Sequence, residues 1–129
     1  MLENSSNINW YKKAISIPKS SRGGDCYRAA GKYVMDSGLF GGNQNLILVH
    51  GIVTGQGPIR GIQYGHAWVE DGDTVIDVSS GRDLRMPKPI YYALGNIDET
   101  QTVRYTSEEM RRKILDSKHW GPWDLQSQY

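Results

Sequence analysis

Three residue types that support nucleophilic catalysis follow one another along the chain, at Cys26, His66 and Asp77. A cysteine thiolate attacks a carbonyl carbon, and an imidazole takes up and returns the proton. A carboxylate can fix the orientation and tautomer of the imidazole. In line, the three groups would support acyl transfer through a covalent acyl-enzyme, which requires that the fold bring them together.

The pairing of His66 with Asp77 is predicted by a β-hairpin over residues 65–81, GHAWVEDGDTVIDVSSG. Asp71-Gly72 is a strong signal for a two-residue turn, because both central positions need positive φ. The register of that turn places His66 directly opposite Asp77 on one face of the sheet, with Cβ atoms about 5 Å apart. A three-residue turn would break this pairing. The alternative interpretation is an ordinary cross-strand ion pair at the surface.

Cys26 is predicted to lie in the first turn of a helix. Apolar residues recur at helical spacing from Cys26 onward, and Gly24 or Asp25 is the expected N-cap. First-turn amides and the helix dipole would favour an anionic thiolate there. In the alternative interpretation Cys26 is a small core residue, which is the more common role of an unpaired cysteine on the apolar side of a helix.

The rest of the chain predicts an α+β fold, with a helix, an antiparallel sheet and a closing helix. Four segments have the composition of β-strands: residues 45–55, 62–70, 74–80 and 102–106. Residues 85–92 contain two prolines and are expected to run extended along the surface. Thr106 and Glu109 form a capping-box pattern that begins the closing helix, with Tyr105 and Met110 placed as a hydrophobic staple.

The totals are those of one ordinary globular domain. The 129 residues, 38% hydrophobic and 22% charged, predict a single domain over residues 10–129 behind a flexible N-terminus, residues 1–9. Fifteen Lys and Arg against 14 Asp and Glu leave a net charge of +1, so neither nucleic acid nor an anionic membrane is an expected partner. One cysteine and no apolar N-terminal run predict a cytoplasmic protein.

Several segments carry a resemblance to a known family: GDCYRAA from residue 24, LILVHGIVTG from residue 46, and GHAWVE with VIDVSSG within 65–81. They resemble the core of the transglutaminase-like branch of the papain-like cysteine enzymes, in which a Cys-bearing helix is followed by strands carrying the His and the Asp. HAWVE is the most specific part of a likeness that covers roughly residues 23–81. The resemblance implies a Cys-bearing helix packed on an antiparallel sheet.

By position, the resemblance implies that Cys26 is the nucleophile, His66 the general base and acid, and Asp77 the residue that orients the imidazole. It implies a thiol-dependent hydrolase or acyltransferase acting on an amide (a peptide, an isopeptide or a glutamine side chain) without metal or organic cofactor. The family commonly has Pro after the Asp, where this chain has Val78.

An oxyanion hole would need two donors, of which the backbone N–H of Cys26 is the first. The candidates for the second are Gln63, Tyr64 and Ser20. Two rivals to an enzyme are open: an inactive family member that binds a protein or small molecule in the same cleft, and a purely structural domain. Peptidase, deamidase and transferase, the substrate and the oligomeric state are also left open.

Other residues could suggest different chemistry. His50 could replace His66 as the base, but a hydrogen-bonded core or strand-end histidine is the more common role. His119 is expected to close the last helix near its negative end. No pair has the C-x-x-C or H-x-x-x-H spacing of a zinc site. Four aromatic residues are expected to pack rather than to line a cleft: Tyr64, Trp68, Trp120 and Trp123.

Overall fold

The computed structural model describes the backbone of residues 19–125 and the side chains of residues 26–39 and 41–125. The predicted flexible stretch 1–9 and the domain boundary at residue 10 lie outside the described residues.

A long helix precedes a five-stranded antiparallel sheet. The elements in chain order are α1 (Lys19–Ser37), β1 (Ile47–Thr54), β2 (Gln63–Asp71), β3 (Thr74–Asp77), β4 (Leu84–Pro87), α2 (Lys88–Leu94), β5 (Val103–Tyr105) and α3 (Ser107–Ser117). The strand order across the sheet is β4-β3-β2-β1-β5. The α+β class and the antiparallel sheet behind a Cys-bearing helix are confirmed.

The sheet is covered on both faces. Side chains of a strand point alternately to the two faces, so neighbours in β2 enter different clusters. Ala67 and Val69 pack with Cys26 and other residues of α1, and with Met110 of α3. On the other face, Trp68 packs with Val75 of β3 and with Tyr92 of α2, and further strand residues join the same cluster. Both faces of β2 are therefore buried, so burial along this strand is continuous rather than alternating.

The β2–β3 hairpin has a two-residue turn, but the predicted register is wrong. Asp71 pairs with Thr74, so Gly72 and Asp73 form the turn. Gly72 has φ +60°, whereas Asp73 is not among the residues with positive φ. This matches a type II′ turn, in which only the first central residue needs positive φ. Asp71 can then stay in the extended strand conformation.

The corrected register keeps His66 and Asp77 on one face. Val69 pairs with Ile76, and one further step along the ladder sets Asp77 opposite Trp68 rather than His66. Because side chains alternate, a shift by an even number of residues changes the partner but not the face. Asp77 therefore lies diagonally across from His66.

The predicted start of α1 is also wrong. The helix begins at Lys19, so Cys26 lies well inside it and the expected N-cap at Gly24 or Asp25 does not exist. A glycine in a helix costs only about 1 kcal/mol, which packing of the later turns on the sheet can offset. The dipole effect falls off within the first turn, so it gives no reason to expect a thiolate at Cys26.

Residues 85–92 were predicted to be extended throughout, and this prediction is wrong. The segment contains the end of β4 and the beginning of α2. Pro87 closes the edge strand, and Pro89 stands in the first turn of α2, where no backbone N–H is needed. This helix brings two tyrosines over the sheet.

The closing helix α3 agrees with its prediction. Thr106 accepts from the Glu109 N–H at 3.1 Å and Glu109 accepts from the Thr106 N–H at 2.9 Å, which completes the capping box. After α3, Trp123 packs against Tyr105. In residues 19–125, no helix combines the length and apolar character needed to cross a membrane.

Candidate active site

The imidazole of His66 and the carboxylate of Asp77 are in direct contact. His66 Nε2 lies 3.0 Å from Asp77 Oδ2. His66 is 7% exposed and Asp77 1% exposed, so the contact is shielded from water. Such a pair is not the surface ion pair of the alternative interpretation, because little solvent screens it.

Asp77 is held by donors from two further segments. Its Oδ1 accepts from the Ser79 backbone N–H at 3.0 Å and from the Ser79 hydroxyl at 2.6 Å. Its Oδ2 accepts from the Tyr91 hydroxyl at 2.7 Å, in addition to facing His66. A guanidinium nitrogen of Arg82 lies 3.5 Å from the same oxygen. The carboxylate is thus oriented by hydrogen bonds on both oxygens.

Cys26 completes the constellation. The Cys26 residue is 5% exposed, and its side chain is hydrogen-bonded to His66. Cys26 belongs to the cluster on the α1 face of the sheet. His66 lies two residues before Trp68 in β2, so its side chain points to the opposite face, as that of Trp68 does. The β2–β3 ladder ends near Val69, and α1 contacts the turn at residues 79–81 that follows β3. The hydrogen bond between the two side chains therefore links α1 to β2.

The charges of the site reinforce one another. Burial is the largest influence on the pKa of His66 and lowers it, but hydrogen bonds and charges of Asp77 and Cys26 together raise the pKa to about 9. Burial also acts to raise the pKa of Asp77, yet His66, Ser79 and Tyr91 hold it well below its usual range. The pair is therefore imidazolium and carboxylate at neutral pH.

Aromatic rings enclose the imidazole. The Trp68 ring stacks on His66 at 6.3 Å between centroids, and the Tyr64 ring meets His66 edge-on at 5.9 Å. Tyr64 and Tyr91 are half-buried, and Trp68 is fully buried. Gly51, opposite His66 in β1, leaves room for Trp68, because a Cβ there would lie 2.6 Å from the indole ring. The expectation that Trp68 packs in the core is confirmed.

A second buried carboxylate, Glu70, anchors Trp68. Glu70 is 1% exposed and accepts from the indole N–H of Trp68 at 3.0 Å and from the Tyr92 hydroxyl at 2.6 Å. Arg104 donates to its other oxygen. Burial acts to raise the pKa of Glu70, but these donors lower it. The ring that stacks on His66 is thus fixed in orientation.

Sequence reasoning missed Glu70 and Tyr91 as parts of the site. Glu70 follows His66 at an even spacing, so strand alternation could have placed it on the same face. Tyr91 gave no such signal, because its segment was expected to be extended on the surface.

The predicted oxyanion donors differ in whether their positions would allow them to donate. In the interior of α1 the Cys26 N–H is engaged in the helix, which removes it as the predicted first donor. Tyr64 lies within the electrostatic field of Cys26 and Asp77, and its pKa is raised chiefly by burial. Gln63 is exposed at the start of β2. The side chain of Ser20 lies outside the described residues.

The other two histidines lie apart from this constellation. His50 is fully buried, and within the described part of the chain neither ring nitrogen has a hydrogen-bond partner, so the expectation of a hydrogen-bonded core histidine is wrong. His119 follows α3, as expected, and its Nδ1 accepts from the Gly121 N–H at 3.1 Å. Across residues 19–125 there is no group of three His, Cys, Asp or Glu able to hold a metal ion.

The described geometry brings Cys26, His66 and Asp77 together, in the order in which the chemistry would use them. No protein-family model, no curated protein and no solved structure matches the chain.

Proposed function

We propose that the protein is a thiol-dependent hydrolase or acyltransferase of the papain-like, transglutaminase-like type, which acts on an amide through Cys26, His66 and Asp77. The observation that carries the proposal is the chain of contacts from the Cys26 sulfur to the His66 imidazole to the Asp77 carboxylate. All three residues are buried, and the carboxylate accepts further hydrogen bonds from Ser79 and Tyr91. A structural core has no need of three reactive groups in one line, since burying charges is costly unless they are paired.

The first half of the reaction forms the acyl-enzyme. With Nε2 facing Asp77, Nδ1 is the ring nitrogen left to hold the proton that the Cys26 thiol gives up, so the reaction begins from the imidazolium form of His66. The sulfur attacks the carbonyl carbon, the carbon–nitrogen bond then breaks, and His66 gives its proton to the departing amine. The products of this half are a thioester on Cys26 and a free amine.

The second half releases the acyl group. Water or an acceptor amine gives a proton to His66 and attacks the thioester carbonyl. The carbon–sulfur bond then breaks, which releases a carboxylic acid or a new amide, and the proton held by His66 is again shared with the freed sulfur. Hydrogen bonding and charge from Cys26 contribute to the raised pKa of His66. Acylation removes both contributions, so the pKa of His66 falls at the step that needs a base.

Tyr64 is the side chain best suited to donate to the oxyanion. It is half-buried, it contacts His66, and it shares an electrostatic field with the sulfur. A phenol donor aimed at developing charge in a site with little water can stabilise the transition state substantially. Tyr64→Phe removes this donor and retains the ring.

The experiment is the release of amine from a panel of amides: fluorogenic peptide anilides, a γ-glutamyl anilide and free glutamine. We expect turnover of at least one by the natural protein and none by Cys26→Ala, with thermal midpoints that differ little. A trapped thioester on Cys26, seen by intact-mass measurement, would identify the nucleophile. Turnover retained in Cys26→Ala would overturn the proposal.

A binding module without catalysis is the second candidate. The engagement of the Cys26 N–H inside α1 favours it, because this fold then lacks a donor that acyl transfer commonly uses. Iodoacetamide labelling separates the two candidates. A thiol that reacts only as the pH approaches about 8.5, the ordinary pKa of a cysteine thiol, would favour the binding module.

A further inference from the structure

A groove lies between α1 and the turn that follows β3. It has a volume of about 420 Å³ and is lined by Arg28, Ala29 and Lys32 from the helix and by Ser80 and Gly81 from the turn. A Cβ placed on Gly81 would meet nothing within 4 Å, so the turn side of the groove is open. A volume of this size lies within the roughly 300–1,000 Å³ that is usual for small-ligand pockets.

The charged side chains that line the groove are basic. Lys32 contacts Asp36 at 3.2 Å in an exposed pair. Arg28 is exposed, and no carboxylate among the described residues lies within ion-pair distance of it. A guanidinium without a protein carboxylate presents its donors to a ligand, and its fork matches the two oxygens of a carboxylate.

The groove shares its turn with Asp77. Ser79 binds the carboxylate of Asp77 through both its N–H and its hydroxyl, and Ser80 and Gly81 directly follow it in the chain. Ser80 and Gly81 have φ of 55° and 75°, which bends the backbone sharply at this point. On the helix side, Ala29 stands about one turn beyond Cys26, so each wall of the groove includes a residue that follows closely, in the chain, a residue of the candidate site.

We infer that this groove binds an acidic side chain of a peptide substrate, with Arg28 and Lys32 as its specificity-determining residues. The inference rests on the proposed function, because it places the acidic side chain next to the amide that Cys26 would attack. The net charge of +1 and the small size of the groove favour a single carboxylate over a polyanion such as nucleic acid.

The first test measures binding without catalysis. Two fluorescein-labelled pentapeptides that differ only in a central Glu or Gln are titrated into the Cys26→Ala protein, with fluorescence anisotropy as the readout. We expect the Glu peptide to bind about five-fold more tightly, the effect of one ion pair near 4 Å in water. The double variant Arg28→Gln, Lys32→Gln should abolish this preference.

Arg112→Gln on α3 is the matched control. This variant removes an exposed arginine that pairs with Glu108 in α3 and does not line the groove. The preference for the Glu peptide should therefore persist. Equal binding of the two peptides, including no detectable binding of either, would overturn the inference. So would tighter binding of a five-nucleotide single-stranded DNA than of the Glu peptide.

The second test uses the only cysteine of the chain as a reporter. Iodoacetate and iodoacetamide alkylate sulfur alike but differ in charge. The ratio of their rate constants should exceed the ratio for glutathione and should fall in Arg28→Gln. If the thiol is unreactive toward both reagents but the peptide preference remains, the proposed function fails and the groove stands. If amides are hydrolysed without any preference for Glu, the groove fails alone.

Discussion

Two histidines on neighbouring strands of one sheet, His66 and His50, are nearly equally buried and differ in almost everything else. His66 contacts a carboxylate and a thiol, and its pKa is raised to about 9. The ring of His50 is surrounded by aromatic rings, with Tyr27 at 4.8 Å and Trp123 at 5.1 Å, and burial lowers its pKa to about 4. Burial is common to both, so the partners account for the difference.

The position of each ring follows from strand parity. His50 pairs with Ala67 in the ladder, and His66 pairs with Gly51, so the two rings point to opposite faces. On one face, β3 supplies Asp77. On the other, the segment after α3 covers His50 with Trp123 and Gly121. One site is built to hold charge and the other to exclude it, which is why only His66 is a credible base.

The largest expected effect is the difference in activity between variants of the two histidines. His66→Gln should lower the rate of amide cleavage by more than about ten-thousandfold, since loss of a triad base removes the proton transfer on which the nucleophile depends. His50→Leu is the control and should retain most of the activity. Initial rates on the best amide of the panel measure both. Similar losses in the two variants would mean that the assignment of the base is wrong.

Asp77→Asn tests the partner rather than the ring. An asparagine retains the size of the side chain but removes the charge, so the pKa of His66 should fall from about 9 toward its ordinary value. Activity should fall by about a hundred- to ten-thousandfold. Titration of the His66 ring by NMR gives the pKa, with the His50 ring in the same spectra as an internal reference. An unchanged His66 titration would contradict the proposed coupling.

The stability of the fold should depend on His50 in acid. In the unfolded chain a histidine binds its proton near pH 6.5, whereas folded His50 binds it only near pH 4. The unfolded state therefore takes up protons first, and the free energy of unfolding falls as pH drops from 6.5 to 4, by about 3 kcal/mol for this group.

Urea unfolding of the natural protein and of His50→Leu, at several pH values from 7 to 4, measures this dependence. The variant should gain relative stability as the pH falls. His66 has the opposite sign, since its contribution is complete below pH 6.5 and is lost as pH rises through about 9. Parallel pH profiles of the two proteins in acid would show that His50 does not titrate as inferred.

The smallest effect concerns neighbouring tyrosines of α2. Tyr91→Phe removes the 2.7 Å donor to Asp77, and Tyr92→Phe removes the 2.6 Å donor to Glu70. Each should cost about 1 to 2 kcal/mol of unfolding free energy. Tyr91→Phe alone should also lower kcat, by about tenfold, because Asp77 is then less firmly oriented. An equal change in kcat for both variants would assign Tyr91 a structural role only.

Local patterns in the sequence predicted most of the elements. The composition of residues 45–55 and 62–70 identified β1 and β2, and the Thr106 capping box located the start of α3. Side-chain alternation placed His66 and Asp77 on one face even though the register was wrong. These features depend on residues close together in the chain, whose geometry is set by backbone dihedrals and short-range hydrogen bonds.

Where packing outweighs local preference, the same patterns misled. Gly24 suggested a helix N-cap, but α1 continues through Gly23 and Gly24 because its later turns pack on the sheet. The prolines of residues 85–92 suggested an extended segment, yet they fit a strand end and a first helical turn. The hydrogen bond from Tyr91 to Asp77 was therefore not predicted from the sequence.

The residue types of the proposed triad, the α+β class and the common face of His66 and Asp77 can be read from the chain. The fold is needed to bring Cys26 of α1 to His66 of β2, to give Glu70 and Asp77 their donors, and to enclose His50 in aromatic rings. The physical reason is range: dihedral preferences and side-chain parity act over a few residues, whereas burial and charge pairing depend on segments far apart in the chain.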